Sequence, residues 1–194
     1  MVKVKFCGMT NQDDCEKAVD LSVDFVGFVF YEKSPRYVSP SKVGEIVEKL
    51  RGRIGTVGVF IEENDAEILA IMEHCGLDYA QVYRKTTIPR RIRAIRVGDR
   101  LPDIPFDNEG LILFDSLSHG YGGSGKSFDV QLLQGFEALD RAFVAGGVSM
   151  ANVGAILCLR PFGIDLVSSI EAHKGKKDHR KMEEFMKTVR SFHQ

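Results

Sequence analysis

Five stretches of this 194-residue chain carry side chains or turns suited to chemistry. Phe6-Cys7-Gly8 ends an apolar run in a thiol, and Phe114-Asp115-Ser116 ends another in a carboxyl. Arg36 follows a third run. Ala145-Gly146-Gly147 and Val167-Ser168-Ser169 are turns suited to a phosphate, because glycine lets the backbone approach closely and N–H groups at helix starts bind anions. A thiol acts as a base only as thiolate, so its pKa must come down from about 8.5. A carboxyl acts as an acid only when protonated, so its pKa must rise. Lys5 lies two residues before Cys7, on the same strand face, and a cation there favours the thiolate. A sixth stretch, 120–127, matches the phosphate-loop pattern G-x-x-x-x-G-K-S. A true phosphate loop follows its strand at once, in the first strand–helix unit. Here the apolar run stops four residues short of Gly120, and no apolar strand ending in Asp follows in a convincing position. The segment reads instead as a Gly-Ser loop that closes over a substrate.

These residues are placed by short apolar runs that alternate with helical patterns. Runs at 2–7, 25–30, 56–61, 79–83, 92–97, 111–115, 141–145 and 164–167 are rich in Val, Ile and Phe, as expected of strands covered by helices. Helical patterns fall at 16–21, 42–50, 64–74, 149–159 and 178–192. Asn11 offers a cap to the first, and Ser39-Pro40 supplies a cap and a first-turn proline to the second. Strand and helix in alternation predict parallel strands with crossovers, and eight repeats predict one closed (β/α)8 TIM barrel of the α/β class over 1–194. Taking strand ends at 82, 97 and 115 for the fourth, fifth and sixth runs, the intervals are only 15 and 18 residues. A parallel crossover needs about a dozen residues besides the strands. The helices after strands four and five are therefore expected to be missing or much shortened. In such a barrel the active site lies at the C-terminal strand ends, where the five stretches fall.

Hydrophobic residues make up 44% and charged residues 27%, the balance of a soluble globular domain. A net charge of −1 gives no basic excess, so nucleic acid is not the expected partner. The N-terminus lacks the apolar core of a signal peptide, and no run approaches a membrane span. Cys7, Cys15, Cys75 and Cys158 match no zinc or redox spacing, which fits reduced thiols in the cytoplasm and no metal. The basic stretch 173–181 reads as a solvated approach to the last helix.

The chain resembles the phosphoribosylanthranilate isomerases nearly end to end. The likeness is carried by KFCGMT at 5–10, GFVFYEKSPRYVSP at 27–40, FDS at 114–116, GGSGKSFD at 122–129, AGGV at 145–148 and GIDLVSSIEAHKGKKD at 163–178. The resemblance implies an Amadori rearrangement of N-(5-phosphoribosyl)anthranilate in tryptophan biosynthesis, without metal or cofactor. It implies Cys7 as general base, Asp115 as general acid and Arg36 on the anthranilate carboxylate. Gly146, Gly147, Ser168 and Ser169 would cradle the phosphate, with Gly123 nearby. Members are monomers or homodimers. Two departures stand out. Gln81-Val82-Tyr83-Arg84 replaces the family's Gln-x-His-Gly, leaving Tyr83 without an assigned role. Val167-Ser168-Ser169 replaces Ser-Ser-Gly, which backbone contacts to phosphate would survive. The histidine-pathway isomerase usually pairs two aspartates at strands one and five, whereas strand one here carries Cys7. A barrel that binds phosphorylated ligands without catalysis is the alternative from another class.

Overall fold

Eight parallel strands close on themselves in chain order in the computed structural model, which describes residues 1–102, 110–117 and 128–192. They are β1 (Lys3–Cys7), β2 (Phe25–Val29), β3 (Gly55–Phe60), β4 (Tyr79–Val82), β5 (Arg91–Val97), β6 (Leu111–Ser116), β7 (Ala142–Val144) and β8 (Gly163–Leu166). All eight expected runs are strands. β8 returns to β1 with Asp165 opposite Lys5, which closes the (β/α)8 barrel.

Local chemistry sets where the helices begin and end. α1 (Gln12–Asp20) starts right after Asn11, whose side chain accepts from the Asp14 N–H, four residues earlier than its apolar pattern suggested. α2 (Pro40–Leu50) has its proline at the start. α3 (Asp65–Cys75) opens on a reciprocal cap between Asn64 and Glu67 and stops at Gly76, which turns left-handed at φ 69°. α4 (Val153–Cys158) is shorter than its pattern at both ends. The residues before it are held in a turn: the Ser149 N–H donates to Asn152 Oδ1 at 2.8 Å, and Asn152 Nδ2 donates to the Gly147 carbonyl at 3.0 Å. α5 (His179–Ser191) completes the set, with Asp178 accepting from two first-turn N–H groups.

The crossover from β4 to β5 is a loop without a helix. After β5, residues 98–102 carry none, and 103–109 lie outside the described residues. After β6 the described residues offer only the single turns Val130–Leu133 and Leu139–Arg141, a shortening that the sequence did not announce. The Gly-Ser stretch 120–127, with Gly123, also lies outside the described residues.

The two-residue period of the strands divides the apolar residues into two layers. Val4, Phe6, Val26 and Phe28 join the layer beneath the helices. Val57, Ile92, Ala94, Leu113 and Phe143 fill the barrel itself. Phe25, Tyr79, Phe143 and Phe162 pack near the N-terminal strand ends, with Phe25 edge-on to Tyr79 at 5.9 Å and to Phe143 at 5.6 Å. This aromatic floor closes one end of the barrel.

The basic stretch is not a solvated approach. It forms a short antiparallel hairpin, β9 (Glu171–His173) with β10 (Lys176–Lys177). Lys177 is buried, and Lys176 Nζ donates to Asp14 Oδ1 at 2.6 Å. The reason is a pair of acidic groups, Asp14 beneath the hairpin and Glu171 at its start, both buried and needing donors. Among the described residues no helix is long and apolar enough to cross a membrane.

Candidate active site

Polar residues inside otherwise apolar strands point to the barrel axis. Lys5 on β1, Gln81 on β4 and Asp165 on β8 meet there, each buried. Lys5 Nζ lies 3.0 Å from Gln81 Oε1 and 3.0 Å from Asp165 Oδ2. Burial works against the ammonium, but Asp165 and Cys7 together more than offset it and hold Lys5 above its ordinary pKa. Above this layer opens a cleft of roughly 960 Å³, counting the solvent at its mouth. Cys7, Arg36, Asp115, Gly146, Gly147 and Ser168 all line it.

Cys7 ends β1 opposite Gly27 of β2. A Cβ at Gly27 would lie 2.7 Å from Cys7 Sγ, so the thiol rests against bare backbone. Burial pushes the thiol up, while the Lys5 and Lys177 cations pull it down and Asp165 adds to the rise. The net direction is upward. The expected cation is therefore in place, yet in the protein alone desolvation outweighs it.

Asp115 ends β6 on another side of the cleft. Burial raises its carboxyl above the usual carboxylate range, reinforced by Asp165 and opposed by Tyr83 and Arg96. The Tyr83 hydroxyl donates to Asp115 Oδ2 at 3.1 Å and accepts from Gln81 Nε2 at 3.4 Å. The Arg96 guanidinium sits 5.4 Å over the Tyr83 ring, and Arg96 is the register partner of Asp115. Tyr83, left without a role by the sequence, thus orients the carboxyl.

Arg36 is 5% exposed and gripped in a fork: Nε donates to Glu171 Oε1 at 2.8 Å and Nη2 to Glu171 Oε2 at 2.7 Å. Gly8 makes room for it, with φ 73° and a would-be Cβ only 2.6 Å from Arg36 Cδ. At the rim, Gly146 and Gly147 are both left-handed, with φ 71° and 83°. A Cβ at Gly146 would fall 2.2 Å from the Ser116 nitrogen. The single turn Ser168–Ile170 begins at the same rim. Ser169 Oγ is buried, with no hydrogen-bond partner among the described residues. Gly123 lies outside those residues, so its place is not described. Among the described residues no cluster of three His, Cys, Asp or Glu side chains could hold a metal.

The sequence reading missed Gln81, Asp165, Glu171 and Lys177. The first two carried a usable signal, since a Gln and an Asp within apolar strand runs are polar groups that must find buried partners. Glu171 and Lys177 carried none, because charges in a mixed polar stretch look solvated. The assembled site can move protons from two sides of a ligand and offers glycine and serine turns to an anion at one rim.

Residues 4–188 match the family described as N-(5'-phosphoribosyl)anthranilate (PRA) isomerase. The chain is 36% identical to N-(5'-phosphoribosyl)anthranilate isomerase of Chloroherpeton thalassium, over 98% of this chain and 96% of that one. Its structure is similar to crystalline phosphoribosyl anthranilate isomerase of Thermotoga maritima, with a TM-score of 0.85, 34% identity, and coverage of 98% and 100% of the two chains. It is also similar to a phosphoribosyl anthranilate isomerase solved with reduced 1-(o-carboxyphenylamino)-1-deoxyribulose 5-phosphate, with a TM-score of 0.79, 31% identity, and coverage of 98% and 100%.

Proposed function

The chain belongs to the N-(5'-phosphoribosyl)anthranilate isomerase family, an isomerase family, and from that premise we propose the chemistry of its own residues. The reaction is the rearrangement of N-(5-phosphoribosyl)anthranilate to 1-(2-carboxyphenylamino)-1-deoxyribulose 5-phosphate. It serves tryptophan biosynthesis in the cytoplasm and needs neither metal nor cofactor. Asp115, whose carboxyl burial raises above the usual carboxylate range, donates its proton to the furanose oxygen, and the ring opens to an iminium. The Cys7 thiolate then takes the proton from C2 of the sugar. The resulting enolamine tautomerises to the ketone, and solvent exchange returns Cys7 and Asp115 to their starting protonation. Lys5 and Lys177 supply the positive charge that favours the thiolate once the substrate is seated. Arg36 holds the anthranilate carboxylate, and the turns at Gly146, Gly147, Ser168 and Ser169 hold the phosphate, as anions are held at glycine turns and helix starts.

One observation carries this reading. Cys7 and Asp115 enter the same cleft from β1 and β6, the first buried and the second half-buried, with an anion-suited rim beside them. The relative bound to a reduced deoxyribulose phosphate supports the choice of ligand. The test follows the fluorescence of N-(5-phosphoribosyl)anthranilate, generated in situ in the presence of EDTA. Rapid loss of signal is expected with the natural chain and not with Cys7→Ala. No loss with the natural chain would leave a binding barrel or an enzyme for another substrate.

A further inference from the structure

Lys177 transfers no proton in the steps above and enters them only as a charge near the thiol, yet it is one of the largest fully buried side chains in the molecule. Its Nζ lies 2.6 Å from the Cys7 carbonyl, 3.1 Å from the Val167 carbonyl and 3.4 Å from Glu171 Oε1. These acceptors belong to the end of β1, the turn after β8 and the first residue of β9. Glu171 in turn grips Arg36 and accepts from the Gly175 N–H at 3.3 Å. The Lys177 N–H donates to Asp14 Oδ2 at 2.9 Å, which ties the hairpin to α1. Burying an ammonium carries a desolvation cost that an apolar side chain of the same volume would avoid. Here that ammonium bridges the backbone of the base, the turn leading to Ser168 and the carboxylate that aims Arg36.

We propose that Lys177 and Glu171 are positioning residues for the isomerase reaction: Lys177 fixes the backbone that carries Cys7 and the Val167–Ser168 turn, and Glu171 aims Arg36. One hairpin then sets both proton abstraction and carboxylate binding. The inference rests on the roles given above to Cys7 and Arg36. The charged and titratable groups that face Cys7 are Lys5 from β1, Asp165 from β8, Tyr83 after β4, Arg36 after β2 and Lys177 from β10. Lys177 is thus one of three cations there, and removing it leaves the thiol with less support for its charge.

The test compares Lys177→Met and Glu171→Gln with the natural chain in three measurements. These are kcat and KM for N-(5-phosphoribosyl)anthranilate, the pH dependence of Cys7 alkylation by iodoacetamide read on the Cys7 peptide by mass spectrometry, and the thermal midpoint. Lys177→Met is expected to lower kcat by about tenfold or more and to move Cys7 alkylation to higher pH. Glu171→Gln, nearly isosteric, is expected to raise KM about tenfold with kcat changed by less than about threefold. It keeps the proposal open to refutation if Lys177→Met does not fold. Unchanged kinetics and alkylation in the folded variants would overturn the proposal. So would losses that merely track the unfolded fraction and vanish on cooling, which would make the hairpin a fold element alone. If the natural chain does not consume the substrate, the functional reading fails by itself. The alkylation profiles then still decide the role of Lys177, with a shift supporting it and coincident profiles refuting it.

Discussion

The wall of the cleft around Cys7 and the wall around Asp115 are built alike and charged differently. Both groups lie at the end of a strand, Cys7 buried and Asp115 half-buried, and desolvation raises both pKa values. Around the thiol, Lys5 and Lys177 oppose that rise. Around the carboxyl the nearest partner is a neutral phenol, with the Arg96 charge set over its ring and the Asp165 anion adding to the rise. Desolvation favours the protonated form of both groups, which suits an acid and disarms a base. Two lysine cations work against it beside the thiol, and one arginine, set over a phenol ring, beside the carboxyl, a contrast in the direction expected when a site runs acid and base chemistry together.

Several substitutions break or sharpen this contrast. Cys7→Ala and Asp115→Ala should each lower kcat by about 10³-fold, the usual range for a positioned acid or base. Steady-state assays that found only one of them impaired would break the pairing. Gly27→Ala places a methyl 2.7 Å from Cys7 Sγ, so the thiol must move. A displaced reacting group costs about 10²-fold, and kcat should fall accordingly while the limb of the pH profile that titrates with Asp115 stays put. Tyr83→Phe removes the hydrogen bond that lowers the Asp115 pKa. Its carboxyl should then titrate at higher pH, visible as a shift of that limb alone, and kcat should drop about tenfold through lost orientation. The smallest effect belongs to a site remote from both walls. Asn64→Ala removes the α3 cap and should cost about 1 kcal/mol in denaturant unfolding, with kcat and KM unchanged.

How legible all this was depends on the kind of signal. Strand runs were plain because most are buried along nearly their whole length, which favours Val, Ile and Phe, and every run ended within a residue of its strand. Helix ends were less plain. The apolar pattern missed the first turn of α1, where Gln12, Asp13 and Asp14 follow the Asn11 cap, and it overran α4, where Asn152 holds the chain in a turn. The missing helix after β4 followed from spacing alone, whereas the single turns after β6 did not, since a 30-residue interval leaves room for a helix. Cys7, Asp115, Gly146 and Gly147 were visible because each sits at a strand end. The partners that orient them were not. Tyr83 reaches Asp115 past the intervening strand β5, and Lys177 reaches Cys7 from 170 positions away. Such contacts depend on closure of the ring, which no local pattern encodes.

The fork between Arg36 and Glu171 has a thermodynamic corollary. A free arginine carries about 2 kcal/mol of rotamer entropy, and a ligand that captures a loose one must remove that freedom on arrival. Here the guanidinium is already immobilised by the time the chain has folded. A ligand that meets it finds a stationary charge, so association should be fast and only weakly opposed by side-chain ordering. The same immobility makes the enzyme less forgiving. If Arg36 receives a ligand carboxylate as proposed, a side chain with nowhere to go cannot follow one that is displaced, so selectivity for its position would be set in the folded state before any ligand is present.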